Sequence, residues 1–308
     1  MDEVAIQRER AQNLWASLER KFPPIAQATE LDPHPDLSAD RVGGLAAAKE
    51  EVLTYACAVT DREVYERWGT FPPSAVLLIG EPGVGKTLLV RLLATRARTA
   101  FLRVKVPQLV LQVVHAAGGK VGDLVNSWSQ TLAEMPPITV FFEELEFSQA
   151  QEIGARRADL PVGPIMDFLL DVVDRTIGVR STLVVGSTGH PDTLRPAFLS
   201  AHRFERVVEV TPSFPDDITA VLAIHAKDAE KRAGRPLFEP LHWLDVVREH
   251  QGLTPGDWVQ LLHAALRRKA RCDASGEPVA PVSSRDLIEE ADRFRRASTR
   301  LSQVGTYV

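Results

Sequence analysis

The chain has 308 residues, of which 44% are apolar and 25% charged, and its formal net charge is −5. That composition belongs to a folded protein able to bury one large core and one small one, and it excludes global disorder. The acidic balance argues against electrostatic attachment to nucleic acid as the main task, with a local basic patch left open.

In chain order, residues 2–21 scatter Ala5, Leu14, Trp15 and Leu18 among charges, which predicts one amphipathic helix. It is expected to end before Pro23-Pro24, and "ATELDPHPDLSAD" then reads as an extended linker because Pro33 and Pro35 oppose helix. Residues 1–36 are therefore set apart as a helix and linker, either a packing extension or an element that docks a partner. From residue 41, short apolar runs alternate with helical segments: "SAVLLIG", "AFLRVKV", "ITVFFE", "STLVVGS" and "RVVEV". Val, Ile and Leu without polar alternation suit strands covered on both faces, so an α/β domain with a parallel sheet is expected over 37–212. After Pro212 the pattern turns helical, at about 215–232, 240–250, 255–272 and 284–299, which predicts a smaller all-α unit over 213–308.

The strongest motif is "LLIGEPGVGKTLLVRLLA". Gly80, Gly85, Lys86 and Thr87 fit G-x-x-x-x-G-K-[ST] between a buried strand and an amphipathic helix, which is the setting a phosphate-binding loop requires. Glycines let successive N–H groups converge on phosphate, and the helix N-terminus adds the positive end of its dipole. The stretch Glu81-Pro82-Gly83-Val84-Gly85-Lys86-Thr87-Leu88 is the candidate nucleotide contact. Lys86 would set its charge against the β- and γ-phosphates, and the Thr87 hydroxyl would ligate Mg²⁺. The bland alternative is a glycine-rich turn with an incidental lysine. Downstream, "ITVFFEELEF" runs a buried strand into paired acids.

With these motifs in place the chain resembles the AAA family of ATPases, the P-loop group with a second region of homology, collinearly over about residues 41–272. "RVGGLAAAKEEV" looks like the family's segment beside the adenine, marking Gly43. "GSTGHPDTLRPAFLSAHRFERVVEV" is similar to its sensor and arginine-finger region, and "VLAIHAKDAEKR" with "GLTPGDWVQLLHAALRRKAR" looks like its helical lid, marking His225 and Gly256. The resemblance implies a three-layer αβα domain with five parallel strands in the order 5-1-4-3-2, followed by the lid. It also implies a ring, commonly a hexamer, with ATP between subunits. Glu144 matches the base that activates water, and Glu143 its metal-supporting neighbour. Arg203 and Arg206 match arginines that reach a neighbour's site, an effect worth about 10³–10⁵ in rate in related hydrolases. Read without the family, His225 is a packed core histidine, both arginines are surface ion pairs, and Thr254-Pro255-Gly256-Asp257 is a helix cap.

Three positions depart from the family. Glu143 stands where aspartate is usual. Gly189 stands where an asparagine helps position the attacking water, so slow turnover is expected. The loop "HAAGGKVGD" offers Val121 beside Lys120 and no aromatic residue to grip a threaded polypeptide. No H-E-x-x-H occurs, so a zinc protease domain is not expected.

Cys57 and Cys272 are far apart and lack metal-ligand spacing; free thiols in a reducing compartment, or else a lone disulfide, would account for them. No apolar run approaches the ~20 residues that cross a bilayer, and MDEVAIQRER does not look like a signal peptide. The expected protein is a cytoplasmic, magnesium-dependent ATPase that assembles into a ring and remodels or regulates a protein partner, with no membrane or nucleic-acid role. A hydrolysis-deficient scaffold or switch is the alternative.

Overall fold

A computed structural model describes residues 3–115, 121–146, 162–200 and 202–305. Contacts divide the chain into two units: residues 1–39, 46–81 and 86–210 form one, and residues 40–45, 82–85 and 211–308 the other.

The first unit is built on a sheet of strands β1 (Thr29–Asp32), β2 (Ala75–Ile79), β3 (Ala100–Lys105), β4 (Ile138–Glu143), β5 (Thr182–Thr188) and β6 (Arg206–Glu209). Their spatial order is β1-β3-β4-β5-β2-β6. Strands β2 to β6 are mutually parallel and reproduce the expected order 5-1-4-3-2. The apolar runs give the reason. Leu77, Leu102, Val140 and Val184 join one core cluster, while their neighbours Val76, Phe101, Phe141 and Val185 are buried as well, so both faces are covered.

Helix α1 (Glu3–Lys21) forms as its spacing predicts and buries Ala11, Trp15 and Leu18. Part of the expected linker is structured instead, while residues 33–38 remain irregular. Pro23 and Pro24 occupy the first turn of α2 (Pro23–Ala28), where a missing N–H and a fixed φ cost nothing. Residues 29–32 then pair antiparallel with β3, Thr29 opposite Val104 and Asp32 opposite Phe101, adding a sixth strand and covering the sheet edge. Trp15 meets Trp128 edge to face with ring centroids 5.1 Å apart, and its indole N–H donates to Thr29 Oγ1 at 3.3 Å. This packing gives Ala11, Trp15 and Leu18 of α1 a structural role, while Val4 and Ile6 stay exposed.

Helices α3 (Ala46–Thr60), α4 (Arg62–Arg67), α5 (Lys86–Ala97), α6 (Val106–His115), α7 (Val121–Glu134) and α8 (Val162–Ile177) complete the unit. Helix α3 packs on α5, and α5 on β3 and β4, while α7 packs on α8 and α1. The HAAGGKVGD segment lies largely outside the described residues, but Val121 opens α7 and rests partly buried against the core.

The second unit is helical: α9 (Asp216–Ala233), α10 (Trp243–Val247), α11 (Pro255–Ala274) and α12 (Ser284–Gly305). Ile218, Leu222, Val246, Trp258, Leu262 and Leu287 fill its core. Helix α11 opens with a reciprocal capping box between Thr254 and Asp257 and with Pro255 in its first turn.

Candidate functional site

In the first unit, the functional side chains stand at the carboxyl ends of β2, β4 and β5, where parallel sheets present their loops. Lys86, the first residue of α5, folds its ammonium back onto main-chain carbonyls, donating to Gly80 O and to Glu81 O, the latter at 2.9 Å. Partial burial lowers its pKa from the ordinary lysine value, and the charges of Glu146, Glu143, Glu144 and Glu81 oppose that fall. Thr87 follows with its hydroxyl donating to Glu143 Oε1 at 2.8 Å, which ties the start of α5 to the end of β4. Leu88 is exposed and Leu89 buried, as a helix lying on a sheet requires.

Glu143 is engaged on both sides. Its Oε2 accepts Arg103 Nε at 2.8 Å and Nη2 at 2.7 Å, and Arg103 Nη1 reaches Glu30 at 3.1 Å. Arg103 comes from β3, the parallel neighbour of β4, where it stands opposite Phe141, two residues before the position that faces Glu143. The extra methylene of glutamate thus serves an ion pair that no local motif announces. Thr87 and Glu143 together offer hard oxygen donors, the type divalent magnesium or calcium takes. Among the described residues, no three His, Cys, Asp or Glu side chains group into a metal cage.

Glu144 is exposed and takes a left-handed backbone, φ 60°, rare for a residue with a Cβ. Desolvation, then the charges of Glu143 and Glu146, push its pKa above the ordinary glutamate value. Gly189 follows β5 and presents a main-chain N–H, which donates to Glu146 Oε1 at 2.9 Å.

Arg203 and Arg206 are both engaged within their own chain. Arg203 makes a two-pronged pair with Asp174 of α8, at 2.6 Å and 2.7 Å, and also donates to Ser200 Oγ at 3.0 Å; its side chain is 12% exposed. Arg206 opens β6 with its side chain 61% exposed, and meets Glu51 of α3 at 2.9 Å.

The second unit holds the remaining candidates. The loop residues Pro82 and Gly83 are exposed, Val84 is buried and Gly85 half-buried. Gly83 (φ 84°) and Gly85 (φ 105°) adopt backbones that a side chain disfavours. The Gly256 N–H donates to Gly83 O at 3.0 Å, and a Cβ on Gly256 would stand 3.0 Å from Gly83 Cα. Gly256 is therefore required by close approach of main chain. Gly43 has a similar reason, since a Cβ there would meet Val221 of α9. His225 packs edge to face on His263 at 6.2 Å, and burial, with His263 next, holds its pKa below the ordinary imidazole value.

Sequence reasoning passed over Arg103 and Glu146. A signal existed for each: a cation inside a strand buried on both faces demands a partner, and "EELE" carries a third acid beside the pair.

With this geometry established, comparison with known proteins is informative. The ATPase family associated with various cellular activities (AAA) matches residues 76–212, from β2 through β6. The chain is 26% identical over 306 residues to protein CdcH of Halobacterium salinarum, covering 95% of this chain and 39% of that protein. It is 30% identical over 204 residues to the proteasome-activating nucleotidase of Methanocaldococcus jannaschii, covering 66% and 46%. To the ATP-dependent zinc metalloprotease FtsH 2 of Sphaerobacter thermophilus it is 29% identical over 283 residues, covering 88% and 40%. The chain thus spans less than half the length of each of these three relatives.

Proposed function

Because the chain belongs to the AAA family of ATPases, we propose that it binds ATP at the Gly80–Thr87 loop and hydrolyses it with Mg²⁺. The observation that carries this reading is the Thr87–Glu143 bond, which sets a hydroxyl and a carboxylate side by side between the loop helix and the end of β4. When bound, the cation would be held by Thr87, with Glu143 in support, and would neutralise phosphate charge. Lys86 exchanges its carbonyl partners Gly80 and Glu81 for phosphate oxygens. Glu144, exposed after the end of β4, accepts the proton of the attacking water. Gly43, His225 and Gly256 are the second unit's proposed contribution to holding the nucleotide.

The remainder extends from relatives. Self-association into a ring, commonly a hexamer, would let Arg206 act on a neighbouring subunit. One relative is named for activating a proteasome and another for ATP-dependent proteolysis, so a protein is the partner class proposed here. Among the described residues no helix is long and apolar enough to cross a membrane, in keeping with a cytoplasmic site of action.

One observation favours a nucleotide-held scaffold as the second reading: Arg203 is already committed to Asp174. Phosphate release from wild type, Lys86→Ala and Glu144→Gln separates the two. A wild type faster than both variants supports the ATPase, and ATP binding with a wild type no faster than Glu144→Gln selects the scaffold. Light scattering with and without ATP tests assembly, and a monomer under both conditions removes the trans role of Arg206.

A further inference from the structure

A recess of about 380 Å³ opens within the first unit at the amino ends of β2, β4 and β5, where Ser74, Pro137 and Thr182 stand. Lys86 and Glu144 belong to the opposite, carboxyl ends of the same sheet. Strand β5 is 7 residues long. At about 3.3 Å per residue the two ends lie on the order of 20 Å apart.

The recess has apolar walls from Val59 of α3 and from Ile177 and Val179 at the end of α8. Among the described residues, Arg62 and Arg180 are the only charged groups that line it. Arg62 Nη1 donates to the main-chain oxygen of Arg180 at 3.5 Å, which places its guanidinium beside the recess. Neither arginine has an ion-pair partner among the described residues, and the Arg180 side chain makes no hydrogen bond there. The Ser181 hydroxyl and the N–H groups of Arg180 and Ser181 are likewise without a protein partner among those residues.

The nearby acids are occupied elsewhere. Asp61, next to Arg62 in the chain, accepts the Thr60 hydroxyl at 2.6 Å. Glu205 accepts the Ser74 N–H and hydroxyl, each at 3.1 Å, and does not line the recess. Two guanidiniums at one recess with no carboxylate among them make a locally positive field, in a chain whose net charge is −5. Guanidinium forks match the geometry of carboxylate and phosphate. The volume falls at the small end of the roughly 300–1,000 Å³ that small-molecule sites span, and the apolar walls suit an organic body rather than a bare ion.

We propose that this recess binds a small organic oxyanion, a carboxylate or phosphate carried on a compact apolar body. Arg62 and Arg180 take the charged group, with the Ser181 hydroxyl in support, and Val59, Ile177 and Val179 pack on the body. The site stands apart from the nucleotide loop and does not depend on the ATPase reading.

Benzoate and phenyl phosphate put the two kinds of oxyanion on one ring, and benzamide is their uncharged counterpart. Ligand-observed NMR titrations are run on wild type, on the double variant Arg62→Gln with Arg180→Gln, and on Lys86→Ala, which reveals any anion held by the phosphate loop instead. At least one anion should bind wild type and Lys86→Ala alike and the double variant about 10-fold or more weaker. The tighter of the two anions names the charged group, and benzamide should bind wild type at least about 10-fold more weakly than that anion. Melting of the double variant without ligand should match wild type, since both arginines are exposed. Binding that survives in the double variant but is lost in Lys86→Ala belongs to the phosphate loop and overturns the proposal. Benzamide binding as tightly as the anions overturns it too, as does no uptake of either anion by wild type at about 10 mM. Should the double variant melt well below wild type, Arg180→Gln alone decides, its side chain having no bond to lose among the described residues. A fall in anion affinity of about 5-fold or more then supports the site, and unchanged affinity overturns it.

Discussion

Arg103 closes on one oxygen of Glu143 with two nitrogens, at 2.8 Å and 2.7 Å, leaving the opposite oxygen to the Thr87 hydroxyl. The carboxylate that would support a metal is thus partly neutralised in advance, and a cation arriving there competes with a guanidinium. Replacing Arg103 by Gln should lower the Mn²⁺ concentration that half-saturates the ATP complex by about 5- to 10-fold, equivalent to ~1–1.4 kcal/mol. Electron paramagnetic resonance of free Mn²⁺ measures it. An unchanged titration would mean that the pair does not tune the metal.

Lys86→Ala removes the one cation of residues 80–87, which the proposed ATP site sets against the phosphates. ATP affinity should fall about 10- to 100-fold, the worth of a charge-assisted bond of ~1.5–3 kcal/mol. Melting in the absence of nucleotide should barely move, because the ammonium bonds only to carbonyls of a turn. Calorimetry and a thermal scan report the two effects separately.

The two arginines should part company. Arg203 is nearly enclosed and doubly bonded to Asp174, so Arg203→Ala and Asp174→Ala should each cost about 1–3 kcal/mol, with a coupling energy in the double mutant. Arg206→Ala, exposed and paired with Glu51 among the described residues, should leave Tm within a degree or two yet lower turnover by about 10³. Mixing Arg206→Ala with Glu144→Gln subunits should recover activity, since some neighbouring pairs then join an intact base to an intact arginine. Recovery failing at every ratio would count against action in trans.

Asp286 should contribute to the acid stability of the helical unit. Burial opposes its ionisation, but the Ser283 N–H, the Lys269 ammonium and the Ser283 hydroxyl outweigh it and hold its pKa at about 2, from an ordinary 3.8. A depressed carboxylate stabilises the fold above its unfolded value and loses that contribution as pH falls through the folded one. Melting should therefore be flat in this contribution above about pH 4.8 and decline between there and about pH 2. Asp286→Asn should lower Tm at pH 7 and flatten that decline. A variant with the wild-type acid slope would assign the loss to other carboxylates.

The loop, the strands and the acids at the end of β4 were legible because each is a local pattern. A strand buried on both faces must be apolar throughout, a phosphate turn must be rich in glycine, and a helix cap needs Thr254, Pro255 and Asp257 in sequence. Strand β1 escaped because four residues between prolines carry no signal of their own. Its hydrogen bonds and the burial of Thr29 come from β3, some seventy residues away. Arg103 and Glu146 escaped for the same kind of reason, each being defined by a partner distant in sequence, Glu143 on β4 for the one and Gly189 just after β5 for the other.

Sequence alone therefore determined the glycine-rich strand–loop–helix pattern around residues 80–87 and the α/β frame that bears it, since both follow from residue type and short-range periodicity. Tertiary structure decided which acid is free, which is paired and which is buried: Glu144 lifted out by a left-handed turn, Glu143 held by Arg103, Glu146 sunk beside Gly189. Three glutamates within four residues look alike in one dimension. They differ because desolvation and charge pairing are set by strands that meet only when the sheet forms.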